Sequence, residues 1–197
     1  MNILLTSVFK QALKIALPAA LCAVLCACPE RGGSDPVPRR TAYSRVAVMD
    51  TVMTEVPGVP LRFMVNAQAT ATVPRTGWLN VAYPAYGATV YVTFTQAATP
   101  DSLEAVRANR LQRVMLNTGG MPARRSEWVS AHGFDILTLE ADGCTTPFQF
   151  LATDGRRHVV SGAVYFADPA AVNNTDSIAP MVAAIEADLN RALRRMK

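Results

Sequence analysis

The sequence predicts an α+β fold for residues 43–197, a single domain in which two amphipathic helices cover an antiparallel sheet. Two observations carry this prediction. Strand-like segments occur in groups connected by short turns, which favours antiparallel pairing. Two segments carry apolar residues at helical spacing, one near the middle of the chain and one at its end. Such helices bury their apolar stripe by packing on a sheet.

The clearest strand pair is a hairpin in residues 78–95. Residues 78–83 (WLNVAY) alternate large apolar with smaller or polar side chains, and residues 89–95 (TVYVTFT) are β-branched or aromatic. The Pro/Gly-containing segment 84–87 connects them as a turn. On the second strand, Val90, Val92 and Phe94 are predicted to share one face, and Thr89, Tyr91, Thr93 and Thr95 the other.

Shorter apolar runs predict further strands. They lie at 61–65, 128–131, 134–139, 148–153 and 158–166, and Asp154-Gly155 predicts a hairpin turn between the last two. Residues 54–60 contain Pro57, Gly58 and Pro60 and predict a turn. Residues 68–77 are polar and contain Pro74, so the sequence predicts a loop there.

The first helix is predicted to begin after Thr99, with Thr99 as its cap and Pro100 in the first turn. It is predicted to end near residues 117–120 (NTGG). Its apolar stripe is Leu103, Val106, Leu111, Val114 and Met115. The second helix is predicted over residues 177–196, with Pro180 tolerated in the first turn. Its stripe is Ile178, Met181, Val182, Ile185, Leu189, Ala192, Leu193 and Met196.

The N-terminus resembles a bacterial lipoprotein signal. Lys10 and Lys14 precede a short apolar run that is well below the roughly 20 residues needed to span a bilayer. The run ends in residues 25–28 (LCAC), which fit a lipobox with Cys28 as the acylated first residue of the mature protein. The sequence therefore predicts a signal peptide in residues 1–27. Acyl chains such as palmitate on Cys28 would attach the mature protein to a membrane.

Residues 28–42 are predicted to form a lipidated, flexible tether, because they are rich in Pro, Gly and charge. Removal of Lys10 and Lys14 lowers the formal net charge from +4 to +2. This balance is too weak to indicate nucleic-acid binding. Cys144 is the one cysteine beyond residue 28, and we interpret it as a small, partly buried residue at a strand edge.

Recognisable catalytic motifs are absent from the sequence. There is no nucleophile elbow, P-loop, dinucleotide fingerprint or metal-ligand spacing. His132 and His158 lie far apart in sequence without a neighbouring cysteine or acidic cluster. The sequence therefore predicts no enzyme, no catalytic residue, no cofactor and no metal site.

Candidate interaction residues are arginines and tyrosines. Three arginines on one side of the first helix predict a surface that binds lipid phosphates or an acidic partner. The alternative is a solvated helix face whose charges complement the helix end. Tyrosines near the hairpin are predicted to add contact area, with strand packing as the alternative. The candidate set is Tyr43, Arg45, Tyr83, Tyr86, Arg107, Arg110 and Arg113.

Six segments, in order, are similar to the gliding motility lipoprotein family GldD over residues 36–197. They are 36–39 (PVPR), 43–46 (YSRV), 78–84 (WLNVAYP), 149–154 with its QF and TD pairs, 162–166 (GAVYF) and 176–180 (DSIAP). The resemblance implies an accessory protein of gliding motility and of the associated type IX secretion machinery. The resemblance assigns no catalytic residue to this chain. The element order also resembles the PsbP/Mog1-like sandwich.

The sequence supports two functional hypotheses. The first is a lipid-anchored, periplasm-facing envelope protein without enzymatic activity, which contacts other proteins of the motility and secretion apparatus. The alternative is a periplasmic lipoprotein that binds a small anionic or glycan ligand. A pocket with convergent polar groups would favour the alternative.

Overall fold

The computed structural model describes residues 46–168 and 175–197, which lie in one compact unit extending from Tyr43 to Lys197. Nine strands and two α-helices form this part of the chain. The strands are β1 (Met53–Glu55), β2 (Met64–Asn66), β3 (Thr70–Arg75), β4 (Trp78–Tyr83), β5 (Ala88–Gln96), β6 (Ala123–Val129), β7 (Asp135–Ala141), β8 (Phe148–Thr153) and β9 (His158–Phe166). The helices are α1 (Pro100–Asn117) and α2 (Thr175–Arg195), and a 3-10 turn spans Pro84–Tyr86.

Seven strands form one antiparallel sheet in the order β3-β4-β5-β9-β8-β7-β6. The longest pairing joins β5 to β9 at the centre, with Val92 opposite Gly162. β1 and β2 form a separate antiparallel pair around the predicted turn. The predicted antiparallel α+β fold is confirmed, whereas the PsbP/Mog1-like sandwich stays a prediction.

The two helices lie on opposite faces of the sheet. Alternation along β8 makes this clear, because Phe148, Phe150 and Ala152 belong to a core shared with α2, while Leu151 belongs to a smaller core shared with α1. α1 packs on β8 and β9. On its face of the sheet, Trp78 of β4 and Tyr91 of β5 remain about half exposed.

The sheet requires a glycine at its centre. Gly162 lies opposite Phe150 on β8, and a Cβ atom at position 162 would stand 2.4 Å from the Phe150 ring. The Phe150 ring is fully buried. A side chain at position 162 would therefore force the ring to move, which favours glycine there.

Several predicted elements are confirmed. β4, β8 and β9 have the predicted bounds, and β5 buries Val90, Val92 and Phe94 as predicted. Thr99 caps α1, and its hydroxyl accepts a hydrogen bond from the Ser102 backbone N–H. The buried stripe of α2 includes Ile178, Ile185, Leu189 and Leu193.

Other predictions are wrong. Residues 70–75 form strand β3, not a loop. Pro74 is tolerated because β3 is an edge strand whose register shifts between Thr72 and Arg75, so its missing N–H interrupts no regular ladder. The weak strand predicted at 128–131 is β6, which begins at Ala123. α2 begins at Thr175, which places Pro180 inside the helix beyond its first turn.

Within the two described ranges, no helix is both long and apolar enough to cross a membrane.

Candidate interaction surface and anion-binding groove

Three of the predicted site residues, Cys28, Tyr43 and Arg45, lie outside the described residues. The remaining five occupy two unrelated places. Tyr83 and Tyr86 lie at the end of β4 and in the turn that follows it, and the three arginines lie on α1.

The predicted exposure of Tyr83 and Tyr86 is wrong. Their side chains are 1% and 5% exposed, and their rings are stacked with centroids 6.2 Å apart. The Tyr86 hydroxyl donates a hydrogen bond to the Ala47 carbonyl at 2.8 Å. Burial, with the nearby Asp188 carboxylate, raises the pKa of the Tyr83 hydroxyl. Strand packing, the alternative explanation for these tyrosines, therefore applies to both, because their side chains lie on the core face of the hairpin.

The three arginines of α1 do not form one surface. Arg107 forms an ion pair with Glu104 at 3.2 Å and lies beside β6 and β7. Arg110 and Arg113 lie on the other side of the helix, beside β5 and β9. Helical geometry explains the division, because each step of three residues along an α-helix falls about 60° short of a full turn. Arg110 and Arg113 are therefore rotated progressively away from Arg107 around the helix axis.

Arg110 and Arg113 border a groove of about 180 Å³ between α1 and the sheet. The lining residues are Tyr91, Thr93, Arg110, Arg113, Val114, Asn117, Gln149, Ser161, Gly162, Ala163 and Tyr165. None of them carries a carboxylate. Partial burial and the neighbouring charge of Arg113 lower the pKa of the Arg110 guanidinium. The groove is therefore positively charged and has no acidic group of its own to balance it.

The floor of this groove is polar and aromatic. Thr93 of β5 lies opposite Ser161 of β9 in the ladder. The Tyr91 and Tyr165 rings meet edge to face with centroids 5.5 Å apart. Asn117 donates a hydrogen bond to the Gln149 side chain at 3.1 Å, which ties the end of α1 to β8. The groove therefore combines two cations with hydroxyl, amide and ring surfaces.

The groove on the opposite side of α1 has a different charge pattern. It measures about 360 Å³ and is lined by Arg107, Leu111, Arg125, Glu127, Trp128, Val129, Asp135, Ile136, Leu137, Leu151 and Thr153. Arg125 forms an ion pair with Glu127, and Arg107 with Glu104. Because carboxylates accompany its arginines, this side of the helix is largely neutralised.

Three exposed large apolar residues lie within residues 115–121, at the C-terminal end of α1 and just beyond it, and are called the apolar cluster here. Met115, Leu116 and Met121 are 50%, 68% and 44% exposed. The Met121 N–H donates to the Thr118 carbonyl at 3.0 Å, which folds this segment back on the helix end. The prediction that Met115 is part of the buried stripe is wrong, since α1 turns this residue away from the sheet.

A buried polar network, which no sequence pattern predicted, joins β2 to α2. Asn66 donates to Asp188 at 3.0 Å, and Asp188 also forms an ion pair with Arg191. Burial raises the pKa of Asp188 more than Arg191 and Asn66 lower it. The available sequence signal was a carboxylate adjacent to Leu189, within the apolar stripe of α2.

His132 and His158 line one groove, despite their separation in sequence, together with Asp154 and Lys197. His158 Nδ1 lies 2.7 Å from Asp154 Oδ2. In the part of the chain that the structure describes, no group of three or more His, Cys, Asp or Glu side chains is arranged to hold a metal ion. Cys144 is buried in the turn between β7 and β8, where its thiol contacts the Ala141 and Thr146 carbonyls.

No curated protein matches the chain. The family model described as gliding motility lipoprotein GldD matches residues 33–197, which is most of the sequence. The match includes every described strand and helix. The chain therefore belongs to the gliding motility lipoprotein family GldD.

Proposed function

We propose that this protein is a non-enzymatic accessory component of the gliding motility and type IX secretion machinery, and that it acts through contacts with other proteins. Family membership supports its assignment as a gliding motility lipoprotein that is attached to a membrane of the cell envelope. A periplasm-facing position, acylation of Cys28 and the secretion role are parts of the proposal. The proposal assigns no residue a catalytic role.

The exposed apolar cluster of Met115, Leu116 and Met121 is the observation that carries the contact function. Soluble surfaces rarely group large apolar side chains without a use for them. Methionine is flexible and polarisable, which suits a surface that must adapt to a partner. The cluster lies at the end of a helix whose own apolar stripe is already packed on the sheet. It is therefore free to contact another protein.

In-cell photo-crosslinking tests this proposal. A photoreactive amino acid replaces Leu116 in the full-length protein, and a matched control carries it at Ala108, which is also exposed on α1. We expect the Leu116 position to capture a component of the motility or secretion apparatus and the Ala108 position to capture much less. Mass spectrometry identifies the captured proteins.

A surface substitution provides the functional test. Leu116→Lys should reduce gliding, or export through the secretion machinery in a cell that does not glide, while the protein level stays unchanged. The proposal is wrong if Leu116→Lys has normal motility and export, or if the captured proteins belong to neither apparatus.

A further inference from the structure

We propose that the groove between α1 and strands β5 and β9 binds an anionic saccharide, with Arg110 and Arg113 holding its acidic group and the floor of the groove holding its sugar ring. This site is separate from the apolar cluster proposed for protein contacts. It therefore adds a ligand to the proposed function and does not depend on it.

The charge of the groove favours an anionic ligand. Within residues 46–168 and 175–197, Arg110 and Arg113 are in no ion pair. Arg110 is instead held at 3.5 Å from the Thr95 hydroxyl. Two unneutralised guanidinium groups at i and i+3 repel one another. A bound phosphate, sulfate or carboxylate would relieve that repulsion, and guanidinium groups bind such oxyanions in bidentate geometry.

The floor favours a ligand with several hydroxyl groups. Thr93 and Ser161 lie opposite each other on paired strands, and both line the groove with hydroxyl-bearing side chains. A hydroxyl both donates and accepts, so it complements a sugar hydroxyl in either role. The Tyr91 ring, 49% exposed, offers an apolar surface beside these polar groups. Arginine, hydroxyl and aromatic groups thus converge in one concave site.

The geometry disfavours an acidic peptide as the ligand. The groove measures about 180 Å³, below the range of roughly 300–1,000 Å³ typical of drug-sized ligands. It has room for a single ring with its acidic group. Peptide binding by strand addition also needs an open strand edge. β5 and β9 both lie inside the sheet with a neighbour on each side, so the groove offers no such edge.

Calorimetry and ligand-observed NMR on the full-length lipidated protein in nanodiscs test the proposal, with empty nanodiscs as the blank. The probes are glucuronic acid, glucose 6-phosphate and glucose 6-sulfate, with glucose, inorganic phosphate and a hexaglutamate peptide for comparison. We expect at least one acidic saccharide to bind more tightly than glucose and than phosphate. The double variant Arg110→Gln/Arg113→Gln should lose at least tenfold in affinity.

Arg107→Gln is the matched control, because Arg107 lies on the same helix but on the neutralised side. This variant should bind the acidic saccharide with the same affinity as the unmodified protein. Tyr91→Ala should weaken saccharide binding without changing phosphate binding.

The proposal is overturned if none of the acidic saccharides binds, or if the double variant binds as well as the unmodified protein. If inorganic phosphate binds as tightly as the acidic saccharides, the groove is a simple anion site and the proposal of saccharide recognition is wrong. Tighter binding of hexaglutamate would assign the groove to an acidic protein partner instead.

Failure of this proposal is distinguishable from failure of the proposed function. The groove experiments use Arg110, Arg113 and Tyr91 with purified protein. The contact experiments use Leu116 in cells. Loss of saccharide binding would leave crosslinking at Leu116 unaffected, and absence of crosslinks at Leu116 would leave the binding isotherms unaffected.

Discussion

The side-chain amide of Asn66 donates a hydrogen bond to the Asp188 carboxylate at 3.0 Å, and both side chains are buried. This bond joins the end of β2 to the middle of α2, across most of the chain. The Asn66 side-chain amide also donates to the Asp50 backbone carbonyl at 2.6 Å, and the Asn66 side-chain oxygen Oδ1 accepts from the Gln68 N–H. The Asn66 amide therefore connects three segments: the first described residues, β2 and α2.

Removal of the Asp188 carboxylate should destabilise the protein. Asp188→Ala leaves the buried Asn66 amide without one of its partners, a loss of about 1–3 kcal/mol. Urea unfolding of the full-length protein measures the change. Asp135→Ala, an exposed carboxylate in β7, is the control and should change the free energy of unfolding by about 0.5 kcal/mol or less. A loss no larger than that of the control would show that the network adds nothing to stability.

Stability should fall in acid partly through Asp154. Burial raises the pKa of Asp154, but hydrogen bonds from the backbone N–H groups of His158, Arg157 and Arg156, and from the His158 ring, outweigh it and hold the pKa well below its ordinary value of 3.8. A depressed folded-state pKa stabilises the fold above the unfolded-state pKa, and this contribution is lost as the pH falls through the folded-state pKa.

The variant Asp154→Asn isolates this contribution, since asparagine has no carboxylate to titrate. The difference in unfolding free energy between the unmodified protein and the variant should be largest at pH 6 and smaller at pH 2.5. Urea titrations at the two pH values measure it. A difference that does not change between them would contradict the assignment.

Gly162→Ala should destabilise the sheet. The added methyl group meets the buried Phe150 ring, and such overpacking costs about 1–3 kcal/mol. Ser161→Ala, on the adjacent position and the other face, is the stability control with an expected change of about 0.5 kcal/mol or less.

The double variant Gly162→Ala/Phe150→Leu tests the cause. If the ring clash is responsible, the smaller leucine relieves it and the double variant loses less stability than the sum of the two single changes. Additive losses would instead assign the effect of Gly162→Ala to the strand backbone.

Lipid attachment should depend on Cys28. In cells supplied with labelled palmitate, Cys28→Ala should abolish incorporation of label and release the protein from the membrane fraction. Cys26→Ala is the matched control, two residues earlier, and should be labelled normally. Incorporation of label by Cys28→Ala would refute the lipobox prediction.

Local sequence patterns predicted an element correctly where neighbouring residues in the chain determine its bounds. The bounds of β4, β8 and β9 follow from alternation or apolar runs between turn residues, and the tertiary fold keeps them. The start of α1 follows from Thr99 and Pro100, whose capping role involves only the next few residues. By contrast, the prediction of a loop at 70–75 failed because the tolerance for Pro74 depends on β3 being at an edge of the sheet.

The sequence alone thus determined the fold class, the strand and helix pattern of the central and C-terminal parts, and the family resemblance that the family match confirms. Only the tertiary structure decided which candidate side chains are accessible. Tyr83 and Tyr86 are buried because α2 and the first described residues cover their face of the hairpin. Arg107 has a carboxylate neighbour, whereas Arg110 and Arg113 face a floor without acidic groups. Burial and charge balance are set by residues distant in the chain, so one-dimensional spacing does not specify them.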